Sequence, residues 1–524
     1  MSSGPAVVDA AGNQLETRSV SSFELQPDEG RVAVSVNLSI LNEGAGRDGA
    51  KGKDQSVPIV IQKGASDVQV SGKGTQISLA EKGDFLDTYE VTFPRIGKNK
   101  TRKLQISYDL VAGGPDSPRA TRVNEAYAHF CWHGLPTDRT TVKATLPEGY
   151  EPQTLPEGVV VKANEERTTL KPSGRKYARW LQCVESSNPS QLIEETVTSD
   201  SGEAVVIEGW PEDPEWVDAV AFQVRTALPA LTSWVDLPLP AEEITVRQSA
   251  TQALPGYDGS FDRHNALIRV GETAERSTVI THELAHAWFN ESTMGEMWMI
   301  EGGAEWAAKL THGFECQDPS TFDLPGGAKL RDWQMAETAA GRSDGDRVAY
   351  QYAASCWIHQ EITEAMGVEH MSDVNHALLE GLPKYAGNPD PAVANPDWRE
   401  WLDAVDEVGL VPAGTTDLEF AERLLLEFGV ALPRELDGRS EARALYHAVL
   451  DAWGDDTPVV VSRSMDRWAF EDATKAIDIT NAIMRELAGA EAGSSDVETL
   501  TADVAAAETL AELRSLHERA AALA

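Results

Sequence analysis

Hydrophobic and polar positions change their period partway along this chain. Residues 31–41, RVAVSVNLSIL, place Val32, Val34, Val36, Leu38 and Ile40 at alternate positions, the two-residue period of a half-buried strand. Shorter runs of the same kind follow: SVPIVIQ (56–62), DVQVS (67–71), TQISL (75–79), TYEVTF (88–93), KLQISYDL (103–110), TTVKATL (140–146) and GVVVKA (158–163). Turn residues separate them, among them Lys82-Gly83-Asp84 and Pro147-Glu148-Gly149. Short strands at this spacing predict an antiparallel β-sandwich or saddle-shaped sheet over residues 1–200.

Beyond residue 200 the two periods mix. AVVIEGW (204–210) reads as a strand. Residues 213–228 read as a helix with Trp216, Val217, Val220, Val224 and Leu228 on one face, stopped by Pro229. EITVRQ (243–248) and NALIRV (265–270) are further strands, and the last is an edge to which a peptide adds as an extra strand. From residue 371 the pattern is helical and acidic, as in SEARALYHAVLDAWG (440–454), and residues 496–524 read as a helical hairpin or coil. The predicted architecture is multidomain α+β: a β domain over 1–200, a mixed domain over 201–370 and a helical domain over 371–524.

Charge narrows the range of partners. The chain has 524 residues with 84 acidic and 45 basic side chains, a net −39. That excludes a nucleic-acid binder, which needs a basic face, and disfavours an anionic membrane surface. No run of eighteen apolar residues is present to span a membrane. The opening MSSGPAVVDAAGNQ has neither a charged n-region nor an apolar h-region, so it does not read as a signal peptide. The expected setting is extracellular or at the cell surface in a mature or trimmed form, with the cytoplasm as the alternative. Four cysteines form no CxxC pair. They divide two and two between the first and second regions, which permits Cys131–Cys183 and Cys316–Cys356 bridges and an oxidising compartment. Four buried thiols are the other reading.

The candidate chemistry lies in STVITHELAHAWFNESTMGEMWMIEGGAEWAAKL, residues 277–310. His282-Glu283-Leu284-Ala285-His286 is an HExxH. On a helix the two histidines lie on one face and reach one Zn²⁺, with Glu283 beside them to act on water at the metal. Ile280, Leu284, Ala287 and Trp288 form the opposite, core-facing side, and Ser277 or Thr278 caps the start. His129, His133, His264, His312 and His359 carry no ligand spacing and read as ordinary surface or core histidines.

HELAHAWFN followed by WMIEGGAEW resembles the M1-type gluzincin metallopeptidases, and more closely their shorter peptidase MA-like relatives. The resemblance covers residues 250–370 well and the rest loosely. It implies a thermolysin-like catalytic domain, a single zinc ion and peptide or protein substrates. In that family the Glu of a W-x-x-E-G segment is the third zinc ligand, which here is Glu301. Fourteen residues separate His286 from Glu301, whereas the usual eighteen lead to Glu305. The local match favours Glu301, and leaves Glu305 as an alternative ligand or a carboxylate orienting a ligand histidine.

The family also has a tyrosine opening the next apolar helix, which donates to the oxyanion. By motif this is Tyr350, with Tyr352 second. The family's G-x-M-E-N segment corresponds in place to Pro255-Gly256-Tyr257-Asp258, making Gly256 and Tyr257 the expected substrate edge, but no Glu-Asn follows. The resemblance therefore implies a zinc metallopeptidase with Glu283 as general base and Tyr350 as oxyanion donor, without the amine anchor of an aminopeptidase. A catalytically weak gluzincin-like binding module and a hydrolase of a non-peptide substrate are the competing readings.

Overall fold

The computed structural model describes residues 15–44, 54–114, 120–174, 181–254, 256–273, 278–324, 328–334, 345–389, 395–408, 419–488 and 495–524. Strand Arg31–Asn42 follows the alternation read in its sequence, with Val32, Val34, Val36, Leu38 and Ile40 all buried. It pairs with Leu15–Gln26 on one side and Thr101–Val111 on the other, within a seven-stranded sheet. Leu15–Gln26 lacks a visible apolar alternation because three of its inward positions are Thr17, Ser19 and Ser21. Two of the three are bonded: Thr17 meets Asp138, and Ser19 meets Thr137 and Thr140, while the Ser21 hydroxyl has no partner among the described residues. The large sheet shares one core with a three-stranded and a four-stranded sheet, through residues such as Phe23, Ile59, Phe93, Phe130 and Trp132. One pairing departs from the antiparallel expectation. Leu15–Gln26 runs parallel to Arg139–Pro147, because the chain crosses to the smaller sheets between them and re-enters from the same end. Cys131 and Cys183 are bonded between the facing strands Tyr127–Trp132 and Gln182–Ser187.

A single 3₁₀ turn, Pro189–Gln191, leads into the second core. Its sheet has five strands in the order Ile193–Thr198, Ala204–Gly209, Glu243–Ser249, Leu267–Gly271, Gly259–Asp262. The edge is therefore Gly259–Asp262, and the strand at 265–270 is interior to it. The hairpin between them closes on Asp262, whose carboxylate accepts from the backbone of His264 and Asn265 and from the Asn265 amide. Helix Pro214–Val235 covers the sheet and runs through Pro229 instead of stopping there. Leu231, Trp234 and Val235 beyond the proline are buried in the core, and that burial outweighs the lost helix hydrogen bond.

The same core continues through helices Gly345–Met366, Val368–Leu379, Trp398–Glu407 and Glu419–Glu427, as far as Ala431. A boundary at residue 370 falls inside it. A third core follows, built from helices between Arg439–Trp453 and Leu510–Leu523. Arg439, wholly buried, joins the two by meeting Asp403, Asp406 and Glu422 at 2.7 Å each. Among the described residues no helix is long and apolar enough to cross a membrane.

The first and second cores meet through a buried carboxylate. Glu185 accepts from Tyr127 (2.9 Å), from Ser249 (2.7 Å) and from Arg269 (2.8 Å). Tyr127 in turn accepts the Ala250 backbone N–H. Burial opposes ionisation of Glu185, but the Arg269 guanidinium and these donors hold its carboxyl below the usual range.

Candidate metal centre

Helix Val279–Ala285 is short, and His286 continues it in helical conformation as its last residue. Ile280 and Leu284 are fully buried on the sheet side, which turns His282, Glu283 and His286 toward a cleft. Thr278 precedes the helix without a side-chain cap, and Ser277 lies outside the described residues. The far end is closed by Asn290, whose amide donates to the carbonyls of His286 and Ala287. Sequence reading passed over this residue, although an Asn just past a helix end is a recognised stop.

The second helix, Met297–His312, brings Glu301 to the same point. Two glycines let it approach. A methyl on Gly302 would come within 2.7 Å of Ser355 on Gly345–Met366, and one on Gly303 within 2.8 Å of Phe289. Glu301 Oε2 then lies 3.4 Å from His282 Nε2 and 3.6 Å from His286 Nε2, while the two nitrogens are 3.1 Å apart. Tetrahedral zinc with bonds of about 2.0–2.1 Å needs ligand atoms about 3.3 Å from one another, so this triangle has the right size.

The protonation pattern agrees with that donor set. His282 Nδ1 lies 3.0 Å from Glu305, and His286 Nδ1 2.8 Å from the Phe289 carbonyl. With each Nδ1–H given to these acceptors, both Nε2 lone pairs would face the triangle when a cation is bound. All three groups are buried. A cation fits two inward lone pairs and a carboxylate better than any other occupant, and the residues present suit zinc. Glu305 stands behind His282 and also pairs with Lys309, outside the triangle. The other grouping of ligand types, His129 with Cys131 and Cys183, has both sulfurs joined to each other.

Burial pushes the Glu283 carboxyl up to about 7, with Glu301 adding to the effect and His282 and Arg269 opposing it. Burial works the same way on Glu301, but His286 and His282 bring its carboxyl down to about 2. Two carboxylates in one site are thereby split, one ready to exchange a proton and one held ionised.

The tyrosine assignment changes. Tyr352 lines the cleft, donates to Glu301 and lies 6.3 Å, ring to ring, from His282. Tyr350 packs on Phe322 instead, away from the triangle. Residues two apart on a helix point to nearly opposite sides, so only one of them can face the site. The edge of the sheet lies elsewhere than expected too. Gly256 is an exposed turn residue with φ +87°, and Tyr257 reaches the cleft from outside the strand, which begins at Gly259. Cys316 and Cys356 are bonded, tying the third helix to the chain that leaves the second. His312 accepts or donates at Thr281, and His359 is buried between Trp298 and Trp401.

No protein-family model matches this chain, and no curated protein does. Solved structures of M1 zinc metallopeptidases align with most of this chain at low identity. An M1 zinc metallopeptidase from Deinococcus radiodurans is 15% identical, with 80% of this chain and 95% of that chain covered at a TM-score of 0.34. A point mutant of that enzyme bound to Tyr-Ser-Ala is 16% identical, with the same coverage and TM-score. The functional reading rests on the side chains described above.

Proposed function

We propose that this chain is a zinc metallopeptidase that hydrolyses peptide bonds in the cleft between the edge strand Gly259–Asp262 and the two site helices. The observation that carries the reading is the triangle of His282 Nε2, His286 Nε2 and Glu301 Oε2, with sides of 3.1–3.6 Å and Glu283 in the same cleft of about 600 Å³. His282, His286 and Glu301 hold one zinc ion. When bound, the ion supplies Lewis acidity, lowering the pKa of a water toward neutrality and polarising a carbonyl. Glu283, its carboxyl raised by burial, takes a proton from the attacking water and returns it to the leaving amine. Tyr352 offers its hydroxyl to the carbonyl oxygen as negative charge builds there. Glu305 and the Phe289 carbonyl keep the two imidazoles in the tautomer that leaves Nε2 unprotonated.

The substrate backbone extends the sheet at Gly259–Asp262, whose outer side has no strand neighbour among the described residues. Two disulfides support an extracellular or cell-surface setting. The test is metal content by native mass spectrometry together with cleavage of a peptide library. One zinc per chain, with cleavage lost to a chelator and restored by zinc, is expected. Cleavage that survives complete chelation would overturn the proposal.

A further inference from the structure

A second cavity of about 370 Å³ opens from the cleft. Glu291, Met297 and Ile300 line both, so the two spaces are continuous just beyond the helix turn that carries Glu301. Its inner wall is apolar: Met294, Ile300, Leu330 and Trp333 are all buried. Its rim is rich in acceptors. Glu291 is exposed at the junction with the cleft, and Glu296 stands on the same connection. The Pro396 carbonyl is taken by the Gly295 N–H at 2.9 Å, and a methyl on Gly295 would meet the Asn395 carbonyl at 3.0 Å, which places one more acceptor against this segment.

The charges around the rim favour a cation. Glu296 accepts from the Trp298 indole at 2.6 Å, and burial and Asp397 push its carboxyl up while Arg331 opposes. Arg331 is the cation in the cavity wall, but Glu435 grips both ends of its guanidinium at 3.1 Å. Its charge is therefore matched from behind, and the excess at the rim is negative. Across the cleft, the edge hairpin carries Asp262, Arg263 and His264, and the Arg269 charge is matched by Glu185. The unmatched acidic charge therefore lies at the second cavity. Trp333 adds a buried indole N–H with no acceptor among the described residues, a donor suited to a substrate carbonyl.

We infer that the second cavity is the subsite for a basic side chain, lysine or arginine, of the peptide substrate. The inference rests on the peptidase reading above and deepens it. The methylene stem lies on Ile300, Met294 and Trp333, and the cationic end meets Glu291. The net charge of −39 draws cationic peptides to the protein at large, and the rim carboxylates select among them at the site.

The test uses the full chain loaded with zinc and sets of peptides in which each position in turn carries lysine, norleucine or glutamate. Two quantities are read: kcat/KM with the unaltered protein, and calorimetric binding to Glu283→Gln. At one position lysine should exceed norleucine by roughly fivefold, about what one part-exposed ion pair supplies, with glutamate weaker still. Glu291→Gln should bring the lysine-to-norleucine ratio near one, and Glu291→Lys should turn the preference toward glutamate. Equal binding of lysine and norleucine peptides at every position, or a lysine preference that survives both Glu291 variants, overturns the inference while leaving turnover untouched. Preferential binding of lysine peptides without any turnover instead overturns the peptidase reading and keeps the subsite.

Discussion

Gly259 lies directly against Glu283: a methyl group on its Cα would come within 2.8 Å of both Cγ and Oε1 of that carboxylate. The edge strand and Glu283, the proposed general base, are therefore fitted to each other, and the strand can carry only hydrogen at this point. Gly259→Ala should push the carboxylate aside. An angstrom of displacement costs up to about 10²-fold in rate. A fall in kcat of roughly that size, with zinc content unchanged, is the expected result. Steady-state kinetics paired with metal analysis checks it, and undiminished kcat would show that the base is not held there.

Tyr352 and Tyr350 give opposite expectations. Tyr352→Phe removes the hydroxyl that meets Glu301, and should lower kcat by about 10²–10³ with little change in KM. Tyr350→Phe touches only the packing on Phe322 and should leave kcat within twofold or so. Equal losses in both would contradict the placement of Tyr352.

Removing Glu301 or Glu305 separates a ligand from a residue that orients one. Glu301→Ala should abolish stoichiometric zinc binding. Glu305→Ala should keep the ion but weaken its hold by about 10–100-fold, because His282 loses the acceptor for Nδ1–H. Competition with a chromophoric chelator measures both. Zinc lost with Glu305 and kept without Glu301 would reverse the ligand assignment.

His359 sets a pH dependence of stability. Burial lowers its pKa from 6.5 to about 3, so the unfolded chain takes up a proton that the folded one refuses. The unfolded state binds more protons between those values, and stability falls as pH drops through that window. The contribution is fully present above pH 6.5 and is lost progressively toward pH 3. His359→Phe keeps an aromatic ring between Trp298 and Trp401 and removes the titration. Its urea midpoint should fall less than the parent's between pH 7 and pH 4.5. Parallel declines would show that another group governs the acid limb.

The sequence made some parts of this molecule plain and hid others for physical reasons. Strand Arg31–Asn42 was legible because its inward positions are all apolar. Leu15–Gln26, its neighbour, was not, because hydroxyl side chains fill half of its inward face, and Thr17 and Ser19 among them find partners across the fold. The edge strand Gly259–Asp262 is four residues long and starts with glycine, too short to show a period. His282, Glu283 and His286 declare themselves by spacing along one helix, whereas the choice between Tyr350 and Tyr352 depends on how Gly345–Met366 is rotated about its axis. That rotation is set by contacts such as Gly302 on Ser355, which no local pattern encodes. Glu185 carries no signal at all in its own segment. Its partners lie at positions 127, 249 and 269, on strands of two different sheets.

That last carboxylate orders events during synthesis. Tyr127 and Glu185 emerge from the ribosome before Ser249 and Arg269, separated from them by 64 and 84 residues in the case of Glu185. The N-terminal sandwich can close its own core first, as domains generally do while the chain is still growing. It then presents an ionised side chain whose remaining partners have not yet been made, and water must serve in their place. Only when the strand Leu267–Gly271 arrives does Arg269 displace that water and fix the sheet that backs the cleft. The helix with both histidines follows a few residues later, so His282 and His286 emerge after the strand that backs them.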